Sequence, residues 1–268
     1  MTQQLNSEHQ DFERPDVERR FGGVKRLFGD TGLNKLQAAH IVVVGIGGVG
    51  SWTAEALARN AVGSITLVDL DNIAESNVNR QIHALDGNFG KAKITAMRER
   101  IFSINPDCVV REIEYFVTVE NARKILDFHF DCLVDCIDDA SAKAVLAVLC
   151  KAVKSPIVMS GSAGGRLDPT RIQVADLSVV TNDKLLAKVR NLLRRDYQFP
   201  KASSAKNSAK FGVNCVYSDE SVIKPDKTCD ADSTSITGLN CAGYGSSVCV
   251  TAPMGFAAAQ LAINLVIA

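Results

Sequence analysis

The sequence predicts an α/β protein with a doubly wound, mainly parallel sheet and helices on both faces. A C-terminal extension follows, made of a basic helix, a loop region and an apolar helix. Three observations carry this reading. From residue 41 to about 177, short β-branched runs alternate with stretches of helical period, the pattern of a parallel sheet covered by helices. The first run leads into a glycine-rich turn that opens a helix. The chain has 268 residues, 46% apolar and 22% charged, enough to bury a large core without forcing a division into separate ones.

Ile41–Val44 is a fully apolar run ending in glycine, and Ser51–Arg59 reads as the helix after it. Ile65–Asp69 is the second strand. Lys91–Ile104 is a helix stopped at Asn105-Pro106, because proline disfavours helical geometry in the residue before it. Val109–Ile113 is the third strand, and a helix starts at Asn121. Cys132–Cys136 forms a fourth strand, Ser141–Val153 a helix, Ile157–Ser160 a fifth strand and Ile172–Val174 one more. The alternation and the glycine turn together make the fold Rossmann-like.

Beyond residue 181 the rhythm changes. Lys184–Arg195 is a basic helix, KASSAKNSAKFG reads as loop on composition, and a Cys-containing loop region precedes the apolar tail. That tail, Val248–Ala268, carries no charge and is long enough to span a bilayer, where about 20 residues suffice. It is nevertheless rich in Ala and Gly, includes Gln260, Asn264 and Pro253, and lacks flanking basic residues or an aromatic belt. A buried helix is the preferred reading, with membrane association as the minority alternative. The expected organisation is an N-terminal arm (1–35), a nucleotide-binding domain (36–180) and a C-terminal extension (181–268) within one compact body.

Charge and cysteine content narrow the function classes. The 30 Lys+Arg balance 30 Asp+Glu, which excludes a protein basic all over, but residues 184–210 hold 8 basic residues and 1 acidic. Such a local excess fits contact with a nucleic-acid backbone through Lys188, Arg190, Arg194 and Arg195, with Lys184 on the same helix. The eight cysteines are too few and too scattered for a disulfide framework and contain no C-x-x-C pair, so a zinc site of two such pairs is excluded. With a polar N-terminus rather than a leader, the expected compartment is the reducing cytoplasm.

Gly45, Gly47, Gly48 and Gly50 in GIGGVG let backbone N–H groups and a helix N-terminus approach phosphates. Asp69, 19 residues after Gly50 and at the end of the next strand, is placed to bind ribose hydroxyls. A nicotinamide dehydrogenase fits equally well to this point. The next segment separates the readings, because DLDNIAESNVNRQIHALDGNFGKAKI brings Asp69, Asp71, Asn77, Arg80 and Lys93 into one connection. An enzyme that splits ATP between its α and β phosphates must neutralise charge on the reacting phosphorus and on departing pyrophosphate, which calls for Lys, Arg and Mg²⁺. Asp138, in DCIDD just past the fourth strand, lies where it can hold that Mg²⁺.

The series GIGGVG, DLD, SNVNRQ, GKAK and DCIDD resembles the ubiquitin-activating-enzyme superfamily and its bacterial relatives, the adenylyltransferases of the molybdopterin and thiamine pathways. The resemblance spans about residues 20 to 175. It implies that Asp69 and Asp71 bind ribose and neighbouring groups, that Asn77 and Arg80 contact phosphates, that Lys93 assists adenylation and that Asp138 binds Mg²⁺. Through RRFGGVKRLFG, NRQIHAL, INPDC and GSAGGRLDPTRIQVADL the whole chain is more similar to one branch, the tRNA threonylcarbamoyladenosine dehydratases. That branch implies ATP-dependent cyclisation of a modified adenosine beside the tRNA anticodon, with Arg80, Lys93 and Asp138 as catalytic residues, in a C2 homodimer. The alternative is an adenylyltransferase acting on the C-terminus of a sulfur-carrier protein. A monovalent cation and a cysteine-desulfurase or sulfur-acceptor system stay open; zinc is not expected.

Relatives often supply an N-terminal arginine to the partner subunit's ATP site, where this chain has Gly23; Arg20 and Arg26 are the candidate substitutes. Cys215, Cys229 and Cys241 read as small buried apolar residues, with the acceptor thiol of a sulfur relay as the functional alternative. His83 reads as a packing or capping residue rather than a phosphate contact. Lys93 and Asp138 are both expected to face solvent.

Overall fold

The computed structural model describes residues 16–201, 209–224 and 244–268. Seven strands form one sheet in the order β3-β2-β1-β4-β5-β7-β6. The strands are β1 (His40–Val44), β2 (Ser64–Val68), β3 (Val109–Ile113), β4 (Cys132–Asp135), β5 (Ile157–Ser160), β6 (Ile172–Asp176) and β7 (Val213–Ser218). All neighbours are parallel except the terminal β6–β7 pair. The helices are α1 (Val17–Ala38), α2 (Gly50–Arg59), α3 (Lys93–Ile104), α4 (Ala122–Ile125), α5 (Ala140–Val153), α6 (Lys184–Asp196) and α7 (Val248–Ile267).

The pleat of β1 explains the two layers. Successive side chains point to opposite faces of a strand, so Val42 and Val44 join a core with α5 and α6, while Ile41 and Val43 join one with α2, α3 and α7. All four are buried, as a central parallel strand requires. The chain runs outward from β1 through β2 to β3, then returns to place β4 on the other side of β1. That reversal opens the crevice at the strand carboxyl ends where doubly wound proteins bind ligands.

Three departures from the sequence reading stand out. The stretch read as a Cys-containing loop holds β7, inserted between β5 and β6 rather than lying outside the sheet. The N-terminal arm is largely α1, whose path bends at Gly29, the one residue within it with non-helical backbone (φ 72°). The helix expected from Asn121 is a single turn, α4. The apolar tail forms α7, with Val250, Met254, Ala258, Ala259, Ala262 and Ile263 buried against the sheet and α2. Phe256, Gln260 and Asn264 lie on its exposed face. The segment 202–208 of the Ser/Lys-rich loop lies outside the described residues.

Candidate active site at the sheet switch point

The glycine turn leaves β1 with Gly45 in the left-handed region, φ 85°. A Cβ there would press on the backbone of Cys136 and Ile137 at 3.0 Å, and one at Gly50 would collide with the Gly45 carbonyl. Side chains at these two positions would therefore force β1, the turn and the end of β4 apart. Across the turn, Asp69 accepts from Ile46 N at 2.6 Å through Oδ2 and from Asp71 N at 2.8 Å through Oδ1. Burial raises its pKa above the ordinary carboxylate value, and the nearby Lys93 charge opposes that rise. Since each carboxylate oxygen has two lone pairs, Asp69 keeps acceptor capacity while tying the turn to β2.

Lys93 is the first residue of α3. Its Nζ donates to Asp71 Oδ2 at 2.6 Å and its backbone N to Asp71 O at 3.0 Å. The expectation that Lys93 faces solvent is corrected: its side chain is 7% exposed against 50% for Asp71. The cause is local, because Asn72 and Ala92 form an antiparallel bridge that lays the 71–73 segment over the start of α3. Asp138 is exposed as expected. The N-cap of α5 is its neighbour Asp139, which accepts from Ala142 N at 2.7 Å.

Asn77 is buried and uses Oδ1 to accept from Ala74 N at 3.1 Å, holding the short turn Glu75–Asn77. Arg80 folds its Nη1 back onto Ser76 O (2.8 Å) and Asn79 Oδ1 (2.9 Å). Its stem lies against Gly48, where a Cβ would approach within 3.3 Å of Arg80 Cδ. The switch point thus gathers the glycine turn, Asp69, Asp71, Lys93 and Arg80 from the β1–α3 region and Asp138 from the end of β4. Arg20 is committed elsewhere, donating to Ile104 O at 2.7 Å, whereas Arg26 is exposed. Cys215 is buried in β7 and burial pushes its thiol pKa well up, so it is not an accessible thiolate. Cys229 and Cys241 lie outside the described residues.

His83 supports the turn from beneath. Its Nε2 lies 3.0 Å from Ile46 O, an atom that can only accept, so Nε2 carries the proton of a neutral ring. Burial lowers its pKa to about 4. The unfolded chain therefore takes up the proton first, near pH 6.5, and the stability present above that pH is lost as pH falls toward 4. A shift of this size amounts to roughly 3 kcal/mol. Urea unfolding at pH 7.5 and pH 5 should show a smaller acid loss in His83→Gln than in the native chain; Asp69, whose shift has the opposite sign, is common to both.

A family model described as the ThiF family matches residues 23–267. The chain belongs to the ThiF family. It is 45% identical over 250 residues to a tRNA threonylcarbamoyladenosine dehydratase of Haemophilus influenzae, covering 93% of this chain and 94% of that one. The Escherichia coli protein of the same name is 44% identical over 256 residues, with 93% and 94% covered. A crystal structure of the Escherichia coli tRNA N6-threonylcarbamoyladenosine dehydratase in complex with ATP superposes with a TM-score of 0.82, at 42% identity over 93% of this chain and 94% of that chain.

Several residues that sequence reasoning missed position the site of this ThiF-family chain. Trp52 Nε1 donates to Arg80 O at 2.9 Å, and Thr251 Oγ1 of α7 donates to the same oxygen at 3.4 Å. The one tryptophan of the chain, two residues after the last glycine of the turn, was the available signal. Gln81 is buried beside Gly47. Beneath the Asp138 loop, Lys143 Nζ contacts Asp135 Oδ1 (3.1 Å), Asp135 O (3.3 Å) and Ser160 O (2.9 Å), with both side chains fully buried. Asp135 Oδ1 also accepts from Ile137 N, so the pair fixes the backbone that leads to Asp138.

The basic helix α6 divides its cations. Arg190 donates to Val180 O at 2.6 Å and Arg194 to Pro200 O at 3.1 Å, with the Arg194 guanidinium also over the Phe211 ring. Lys184, Lys188 and Arg195 are exposed instead, and Arg195 pairs with its neighbour Asp196. The outward cationic face is therefore Lys184, Lys188 and Arg195.

Proposed function

We propose that this chain is an ATP-dependent tRNA threonylcarbamoyladenosine dehydratase, closing the threonylcarbamoyl side chain of the modified adenosine into a hydantoin ring. The observation that carries it is the adenylation constellation at the switch point of a chain whose likeness to the named dehydratases runs over 93% of its length, C-terminal third included. An adenylyltransferase for a carrier protein would share the constellation but gains no support from that third.

A carboxylate is a poor electrophile, since oxide would have to leave. In the proposed reaction a threonine carboxylate oxygen attacks the α-phosphorus of ATP, and the bond to the bridging oxygen breaks to release pyrophosphate. The ureido nitrogen then attacks the acyl carbon, loses its proton and expels AMP, so the carboxylate oxygen departs as part of AMP. Intramolecular attack can reach effective molarities of roughly 10⁵–10⁸ M, and no enzymic nucleophile is required.

In this scheme the glycine turn receives the phosphates, Asp69 the ribose, and Lys93 and Arg80 the charge that builds on phosphate oxygens. The paired Asp71 holds Lys93 in place. An exposed carboxylate at Asp138, next to the Ile137 backbone that touches the turn, fits Mg²⁺, which is commonly held by one or two carboxylates together with phosphates. Asp138 would hold it, and when bound it would supply positive charge to the departing pyrophosphate. A homodimer, with Arg26 rather than Arg20 reaching the partner's site, completes the proposal.

Incubating purified protein with threonylcarbamoylated tRNA and ATP, followed by mild digestion and mass spectrometry, should show loss of water from the modified nucleoside and stoichiometric AMP. Unchanged nucleoside under these conditions would overturn the reading. Lys188→Glu with Arg195→Glu should raise the KM for tRNA several-fold and steepen no ATP dependence, with the wild-type tRNA affinity falling as salt rises. Equal tRNA KM values in the variant and the native chain would remove α6 from the RNA surface.

A further inference from the structure

A cavity of about 430 Å³ lies at the N-terminal end of α6, walled by Asn182, Asp183, Lys184, Ser221, Lys224 and Tyr244. This falls within the ~300–1,000 Å³ typical of small-ligand sites. We propose that it receives a nucleobase of the RNA substrate, namely the modified adenine itself, with the RNA backbone running along α6. This inference rests on the dehydratase reading and names where its substrate sits.

Position favours that occupant. Gly161 continues β5, the strand beside β4, and Asp183 reaches across to accept from Ser162 N at 2.8 Å. The cavity therefore lies along the same carboxyl edge as Asp138, one or two strand spacings away at about 4.8 Å each. A base held there can extend its threonylcarbamoyl chain toward the adenylation site.

Charge and shape agree. Beside it, Lys184, Lys188 and Arg195 line up along one exposed face of α6, and Lys184 and Ala187 also wall the cavity, so one cationic track leads along that face into the base cavity. From Lys184 to Arg195 this track is roughly 16 Å long at 1.5 Å per residue, enough for a few phosphates. Asp183, the one carboxylate of the cavity wall among the described residues, does not oppose an RNA strand there. Asp183 Oδ1 accepts from Leu186 N at 2.8 Å and Oδ2 from Ser162 N, so it caps the helix and ties it to the loop after β5. Tyr244 offers an aromatic face, and stacking on such a face is sequence-tolerant and contributes about 1–3 kcal/mol per base.

The wall is built rather than incidental. Arg166, 1% exposed, donates from Nη2 to Asn182 O at 2.8 Å, and Asn182 Nδ2 donates to Asp219 O at 3.1 Å. These bonds hold Asn182 in the left-handed region, φ 56°. Gly165 N bonds to Gly245 O, fixing the backbone next to Tyr244.

The test uses the full chain with an anticodon stem–loop carrying 2-aminopurine at the position of the modified adenine, and with modified tRNA for turnover. Binding should quench the 2-aminopurine in the native chain and in Tyr244→Phe, and Tyr244→Ala should abolish the quench. Tyr244→Ala should also raise the tRNA KM about tenfold, as the loss of one stacked base predicts, leaving the KM for ATP unchanged. Lys188→Glu should weaken binding yet preserve the quench in the complex that forms. Native quenching and tRNA KM in a folded Tyr244→Ala protein would overturn the base cavity while the dehydratase reading stands. Absence of cyclised product from the native chain would overturn both.

Discussion

Lys93→Ala is expected to lower kcat for ATP-dependent turnover by on the order of 10²–10³-fold, the usual loss when a preorganised charge at a reacting oxygen is removed. The same variant should lose ATP–pyrophosphate exchange, which reports the first half-reaction by itself. The fold is expected to survive with reduced stability: Asp71 is half-exposed and water can solvate it once Lys93 is gone, but the buried Asp69 loses the charge that opposes its pKa rise. Asp138→Ala should follow the same pattern, with a native circular dichroism spectrum. Native exchange in Lys93→Ala would show that its ion pair with Asp71 serves only the fold.

The second large effect is on stability. Lys143→Met leaves Asp135 buried without its counter-charge, and breaking such a pair costs about 3–5 kcal/mol. Burial already lifts the Asp135 pKa above its ordinary value with Lys143 opposing that rise, so the variant should bind a proton there in the folded state. Folded Lys143→Met should therefore regain stability as pH falls, because its folded-state pKa exceeds the unfolded one. The double variant Asp135→Val with Lys143→Met should recover much of the loss, since a well-packed apolar pair can replace a buried ionic one. Its activity should remain low, because the Ile137 amide, next in the chain to Asp138, would no longer be held by Asp135. Equal stability of Lys143→Met and the native chain in urea would contradict this account.

The parts of the site legible in sequence are those whose chemistry is local in the chain. The glycine turn, Asp69 at the next strand end and Asp138 beyond β4 follow from spacing along strand–turn–helix units, and all lie at the switch point. What spacing could not convey is burial. Lys93 looked like a solvated cation because its cover is an antiparallel bridge between Asn72 and Ala92, twenty residues apart. Lys143 carried a readable signal, a single cation amid ASAKAVLAVLC, but only the return of β5 beside β4 shows what it bonds. β7 was hidden because VNCVYS follows a Ser/Lys-rich stretch and its pairing partners end about 37 to 53 residues earlier in the chain. In α1, Gly22, Gly23, Gly29 and Gly32 suppress the helical signal that packing against α7 restores. The division of α6, with Arg190 and Arg194 turned to backbone carbonyls, depends on neighbours no helical wheel contains.

The way the sheet and α7 are assembled sets a rule for synthesis on the ribosome. β6 pairs only with β7, and β7 is made some 37 residues after it, so β6 must wait as an unpaired strand. The Arg80 carbonyl, fixed early by Trp52, receives Thr251 only when α7 has emerged, and α7 also covers the face that α2 and three strands share. A nascent chain thus carries every ATP-binding motif long before it has a finished wall behind them. A chain truncated before α7 is therefore expected to hold the motifs but not the activity, which ATP–pyrophosphate exchange on the truncated protein would check.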